Sequence, residues 1–252
     1  MARWQVGRQA AGCAVRDAVN WLQDPAKTAE NYATEANLRA RQALYEDVEG
    51  EPALEVLRRL IAKRRPVRVL EVGGGPGELS EWMDEELAAD VSYIDISPRM
   101  VELARERGIS AQQGDVQELP FADASFDLVV AAWMLYHVPD LDRGLSEIVR
   151  VLVPGGTLVA VTNSIGHLEE LRALMHYRRP DEPFNGENGE RLLAPHFSAV
   201  QHHRVDGKVT VHRRDQLVGY QQSIPVETRP IPDDVELPFI TWTRVTIFVA
   251  TK

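Results

Sequence analysis

The chain has 252 residues, 44% hydrophobic and 26% charged, with a formal net charge of −10. These values describe a globular chain with one sizeable core, and the negative balance argues against a nucleic-acid partner, which needs a basic face for phosphates. No apolar run approaches the roughly 18 residues of a membrane span; the opening MARWQVGRQAAGCAVRDAVNWLQD lacks a secretory apolar segment, and Cys13, the single cysteine, excludes an internal disulfide. A cytoplasmic, membrane-free home is expected.

Residues 28–48 read as one helix. Residues 51–64 read as a second, with Leu54, Leu57, Leu60 and Ile61 on one face, and Pro66 stops it. VRVLEV (67–72) is a short β-branched run, the mark of a buried strand. Helix follows at 78–89, strand at 90–96, a helix opened by Pro98, strand at 109–115 and strand at 125–135. LDRGLSEIVRVL is helix, VPGG a turn, and residues 157–163 a fifth strand. Strands alternating with helices at this spacing predict a parallel sheet with helices on both faces, connected right-handedly.

After residue 163 the pattern loosens. Residues 167–178 look helical, DEPFNGENGERL reads as a polar loop entering a short helix, and FSAVQHHRV and FITWTRVTIFVAT read as two late strands pairing antiparallel at an edge. His202 and His203 adjoin on a strand and so face opposite ways; they form no metal pair, and no HExxH spacing occurs. No metal is expected.

The stretch EVGGGPGELS (71–80) lies between the first strand and its helix. Such a turn suits a nucleotide-type ligand, because glycines admit close backbone approach and the helix start favours negative charge. The dinucleotide fingerprint G-x-G-x-x-G would need glycine at position 78, which is Glu78, and this disfavours a nicotinamide dehydrogenase. A tight turn without a ligand remains the bland alternative. Asp95, ending the second strand, suits a ribose diol or, equally, a helix cap.

Glu71-x-Gly73-x-Gly75-x-Gly77 resembles the glycine motif of class I S-adenosylmethionine (SAM) methyltransferases, in the type 11, UbiE-like small-molecule group. GDVQELPFADASFDLVV (114–130) and HVPDLDRGLSEIVRVLVPGGTLV resemble further segments of that family, so the likeness covers about residues 55–163. It implies an α/β fold: a seven-stranded, mostly parallel sheet with helices on both faces, an antiparallel last strand, and an N-terminal helical cap. The cap would be residues 1–50, and the SAM domain 51–252, with an acceptor-pocket insertion around 164–197.

The resemblance further implies the site. Gly73, Gly75 and Gly77 would pass the methionine part of SAM, with Glu71 orienting water or the amino group and Asp95 taking the ribose hydroxyls. Ile96 and Met100 would pack on the adenine, Met100 being equally readable as core. Asp115 would accept from the adenine amino group, Val116 would offer its backbone N–H, and the Ala132 carbonyl would face the SAM ammonium. His137 is the candidate base, positioned after strand four where open α/β sheets bind ligands; packing or capping is its alternative role. Tyr32, Trp133 and Tyr136 would line the acceptor pocket, or serve as anchor and core.

The implied activity is methyl transfer from SAM, leaving S-adenosylhomocysteine (SAH), to O, N or C of a small molecule of the specialised-metabolite kind. The alternative is a catalytically silent SAM-fold protein acting by binding. A monomer or homodimer is expected.

Overall fold

The computed structural model describes residues 21–177 and 183–252. The opening stretch with Cys13, most of the N-terminal cap's first half, and part of the polar loop therefore lie outside the described residues.

Eight strands form one sheet: β1 (Val48–Glu49), β2 (Arg68–Val72), β3 (Asp90–Asp95), β4 (Ser110–Gln113), β5 (Phe126–Ala132), β6 (Leu152–Asn163), β7 (Ala199–Val211) and β8 (Phe239–Thr251). Their spatial order is β1-β7-β8-β6-β5-β2-β3-β4. The strands from β2 to β6 pair in parallel, whereas β8 runs antiparallel to both neighbours, β6 and β7. The order reverses between β2 and β5, because β3 and β4 lie on one side of β2 and β5 on the other. In open parallel sheets the crevice beyond the carboxyl ends at such a reversal is where ligands bind.

Helices cover both faces because alternate strand residues point opposite ways. Leu70 and Val72 of β2 share a core with Leu145 and Ile148 of α6 (Leu141–Val151). Val69 packs instead with Val56, Leu57 and Ile61 of α3 (Ala53–Ala62) and with Leu79 and Met83 of α4 (Glu78–Leu87). Leu54 is 37% exposed, contrary to the expected apolar face: the buried stripe runs through Val56, and Leu54, in the first turn, faces a cavity instead.

Three further expectations change. The helix expected over 28–48 is broken into α1 (Pro25–Asn31), α2 (Ala36–Gln42), a 3-10 turn (Ala43–Tyr45) and β1. The Asn37 side chain donates to the Asn31 carbonyl at 3.1 Å and to its Oδ1 at 2.8 Å, a local side-chain bond of the sort that competes with a continuing helix. The VPGG turn is absorbed into β6, whose register with β5 shifts between Phe126 and Leu128 around Gly155 at φ +78°. The sheet has eight strands and not seven, since two residues of β1 pair with Val209 and Lys208 on β7.

Between β6 and β7 lie α7 (Glu169–Leu174) and α8 (Gly189–Leu193); the segment before β8 adds α9 (Arg214–Gln222), for which the sequence reading had no expectation. Helix α2 packs against α9. No helix among the described residues is long and apolar enough to cross a membrane.

Candidate active site

The carboxyl ends of β2, β3 and β5 open into a cavity of about 750 Å³. Its floor begins where β2 ends. Gly73 (φ +64°) and Gly75 (φ +60°) adopt the left-handed conformation that costs other residues roughly 1–2 kcal/mol. The Gly73 N–H bonds the Ile94 carbonyl at 2.8 Å, tying the turn to β3. A Cβ on Gly74 would fall 2.3 Å from Cδ of Glu71, so this residue too must be glycine while Glu71 points under the turn. Gly77 differs: its Cβ would meet that of Ala104 at 2.9 Å, and it does not line the cavity. It seats α4 against α5 (Pro98–Glu106).

Glu71, Gly73, Gly75, Asp95, Ile96, Asp115, Val116 and Ala132 all line the cavity. Met100 does not; at 1% exposure it is core beneath α5. Glu71 is buried at 1% exposure and accepts from the Ser80 hydroxyl. Burial pushes its carboxyl up to about 7, against the Ser80 hydrogen bond, and the nearby Asp95 charge adds to the rise. Asp95 is also raised by burial, opposed by N–H groups of Ser97, Gly75 and Ile96 and by the Tyr93 hydroxyl. Ser97 N–H reaches one Asp95 oxygen at 2.8 Å and the Tyr93 hydroxyl the other at 2.9 Å. Asp115 accepts from the backbone and side-chain nitrogens of Gln117, at 2.9 and 2.8 Å.

Tyr93 and Gly74 were missed by sequence reasoning. The Tyr93 hydroxyl also lies 2.6 Å from the Gly75 carbonyl, so one buried ring joins the turn to Asp95. Its signal was present: Tyr93 and Asp95 are two apart on one strand and so share a face.

The opposite wall comes from β5's end and the N-terminal helices. Trp133 follows β5 at φ +55°, a strained conformation for an aromatic residue, worth on the order of 1–3 kcal/mol. Its indole N–H donates to Asn163 Oδ1 at 3.2 Å. Tyr136 is buried and packs on the His137 ring at 4.6 Å. Tyr32 stands edge-on to His137, its hydroxyl 3.5 Å from Nε2. The Tyr32 carbonyl accepts from Ser97 Oγ at 3.1 Å, which fastens this wall to the start of α5. All four residues line the cavity.

Two histidines on the cavity wall hold opposite tautomers. His137 Nδ1 lies 2.8 Å from the Leu22 carbonyl, which only accepts, so Nδ1 carries the hydrogen and Nε2 the lone pair. His167 Nδ1 receives the Arg244 backbone N–H at 3.1 Å, so its hydrogen sits on Nε2 and points to the Tyr45 hydroxyl oxygen, 3.0 Å away. Of the two, His137 is thus the ring that can take a proton into this cavity without breaking a backbone bond. Among the described residues no group of three or more His, Cys, Asp or Glu could hold a metal ion.

Comparison with known proteins identifies this architecture. Residues 70–160 match the family described as "Methyltransferase domain". The malonyl-[acyl-carrier protein] O-methyltransferase of Pseudescherichia vulneris is 31% identical over 148 residues, 58% of this chain and 54% of that protein. The ubiquinone/menaquinone biosynthesis C-methyltransferase UbiE of Idiomarina loihiensis is 36% identical over 106 residues, 38% of this chain and 42% of that one. The chain thus spans about half or less of the length of these curated relatives. The solved YcgJ protein of Bacillus subtilis shares the fold, with a TM-score of 0.59 and 18% identity over 79% of this chain and 98% of that one. The matched segment holds the glycine turn, Asp95, Asp115 and His137, and over residues 70–160 the chain is similar to methyltransferase domains, with UbiE-like small-molecule methyltransferases among the relatives.

Proposed function

We propose that this protein transfers a methyl group from SAM to a small-molecule acceptor. The observation that carries the reading is the convergence of Glu71, the left-handed Gly73 and Gly75, Asp95 and His137 on one cavity.

The residues fit SAM. A Cβ on Gly75 would meet nothing closer than Leu38 at 3.8 Å, so the turn leaves its space to the cavity. Asp95 lines the cavity at the end of β3, and each of its oxygens has one short protein donor, so a ribose diol that reaches this carboxylate would meet acceptor oxygens. Asp95 and Asp115, with the Glu71 carboxyl under the turn, set acceptor oxygens at this end of the cavity for the ammonium and ribose of SAM. When bound, SAM supplies an electrophilic methyl on a positively charged sulfur.

The protein's own work is alignment, desolvation and proton removal. Asp95 and the turn hold the donor's position. Tyr32, Trp133 and Tyr136 wall the acceptor side and exclude water. His137 Nε2 accepts a proton from a hydroxyl acceptor as its oxygen attacks, while the Nδ1–H bond to Leu22 fixes the ring. Tyr32, beside Nε2, orients the attacking group.

Calorimetry with SAH and with NAD tests the reading. SAH should bind, and at 100 times Kd should add roughly 2.7 kcal/mol to stability, while NAD adds none. Absence of SAH binding would overturn it.

A further inference from the structure

We propose that the acceptor carries an anionic oxygen group on a small planar ring, and that Arg41 and Asn163 bind that group; the proposal rests on the methyl-transfer reading for the identity of the reacting end. A second cavity of about 120 Å³ adjoins the first and shares Tyr32, Arg41, His137 and Asn163 with it. Its size is near the ~150 Å³ that accommodates a benzene ring, and tyrosines dominate its wall.

Against the chain's net −10, the described lining of this chamber includes the guanidinium of Arg41 and no Asp or Glu. Among the described residues Arg41 makes no ion pair. It donates to Ser223 Oγ at 3.2 Å, the Ser223 carbonyl at 2.6 Å, Asn31 Oδ1 at 3.0 Å and the Tyr32 hydroxyl at 3.2 Å. These are all neutral and use four of the roughly five N–H groups of a guanidinium; the fifth, on Nη1, has no acceptor among the described residues. A half-buried cation with only neutral partners is costly to desolvate, and a ligand anion would offset that cost.

Asn163 adds direction. Indole N–H only donates, so the oxygen of Asn163 must face Trp133, and its NH₂ is turned elsewhere with no acceptor among the described residues. The His167 tautomer makes Tyr45, also on this wall, an acceptor toward that ring and a donor toward its other partners. Arg41 and Asn163 therefore offer hydrogens, beside the His137 lone pair that would face the nucleophile, and the complementary ligand end offers oxygen lone pairs and negative charge. Tyr32 touches both Arg41 and His137, so a single ring can place its anionic end at Arg41 and its nucleophile at His137.

The test uses 3- and 4-hydroxybenzoate, each beside its methyl ester, titrated by calorimetry into the protein saturated with SAH. Each acid should bind about tenfold or more tighter than its ester, since hydrogen bonds to charged groups are the stronger kind. Arg41→Met should abolish the preference and leave SAH affinity unchanged. If Arg41→Met does not fold, which loss of SAH binding would reveal, Asn163→Leu is read instead, with an expected loss of about two- to tenfold. Equal affinity for acid and ester, binding of neither, or an undiminished preference in the variant would overturn the proposal. If the wild-type protein fails to bind SAH, the methyl-transfer reading falls, and the acid–ester comparison run without SAH still decides the anion site.

Discussion

The Tyr93 hydroxyl lies 2.9 Å from the Asp95 carboxylate and, on its other side, 2.6 Å from the Gly75 carbonyl. One hydrogen is shared between the cofactor turn and the strand-end carboxylate, so the two cannot move independently. Removing the carboxylate and removing the tie should then have different costs. Asp95→Ala should weaken SAH binding by roughly 1.5–3 kcal/mol, the worth of hydrogen bonds to a charged group, and Tyr93→Phe by only about 0.5–1.5 kcal/mol. Calorimetry on both variants checks this; wild-type affinity in Asp95→Ala would leave Asp95 as a partner of protein donors only, among them Ser97 N–H and the Tyr93 hydroxyl.

The glycines of the turn make separable predictions. Gly74→Ala drives a Cβ to 2.3 Å from Glu71 and should destabilise the protein by about 1–3 kcal/mol, as overpacking does. Gly75→Val has room in the protein but enters the cavity, so it should cost SAH affinity tenfold or more beyond an about 1–2 kcal/mol backbone penalty. Gly77→Ala collides with Ala104 and should lower the melting temperature while the folded fraction binds SAH normally. Thermal melts beside calorimetry separate the three, and weakened SAH binding by folded Gly77→Ala would return Gly77 to the ligand.

That division shows what the sequence could and could not reveal. The G-x-G-x-G spacing, the aspartate closing β3 and the segment over 114–130 are local patterns, and most of the residues they mark line one cavity. Gly77 and Met100 fell on the right motif but face protein, because motif position does not say which side of a residue meets the ligand. Arg41 and Asn163 act through partners distant in sequence: Arg41 meets Ser223, 182 positions away, and Asn163 meets Trp133, 30 away, whereas Gly74 and Tyr93 have near partners, Glu71 and Asp95, whose directions spacing alone does not give. The break in the 28–48 helix was hidden as well, because the side-chain bonds from Asn37 and Arg41 to Asn31 were not legible.

Glu71 gives a prediction in pH. Its folded pKa, about 7, lies above its ordinary 4.5, so the folded state holds the proton more tightly than the unfolded one. Its contribution to stability is complete below pH 4.5 and is lost as pH rises through 7. Glu71→Gln removes the titration but keeps an oxygen for Ser80. Without ligand, the variant should match wild type near pH 4.5 and exceed it at pH 8 by on the order of 3 kcal/mol. Denaturant unfolding of both proteins across that range checks it, and a stability difference that does not change with pH would mean that Glu71 does not titrate there.

The opposite tautomers of His137 and His167 give the last prediction, and it needs no acceptor to begin. At neutral pH, nitrogen-15 spectra should show His137 with its hydrogen on Nδ1 and His167 with its hydrogen on Nε2, because a carbonyl faces one Nδ1 and a backbone N–H the other. Only an imidazole with its lone pair at Nε2 can serve as base on this wall. With an acceptor found by the hydroxybenzoate titrations, His137→Gln should therefore lower kcat by about 10²–10⁴-fold, the typical worth of a general base, with SAH affinity nearly unchanged. His167→Gln should instead act on stability, through its bond to the Arg244 backbone, and cost far less in rate. In wild type kcat/KM should rise with pH, as a base that must act unprotonated requires, and the rise should vanish in His137→Gln. A fast His137→Gln enzyme with a flat profile would assign His137 to holding the ring wall against Leu22 and Tyr32, and would point to an acceptor, such as an uncharged amine, that needs no base.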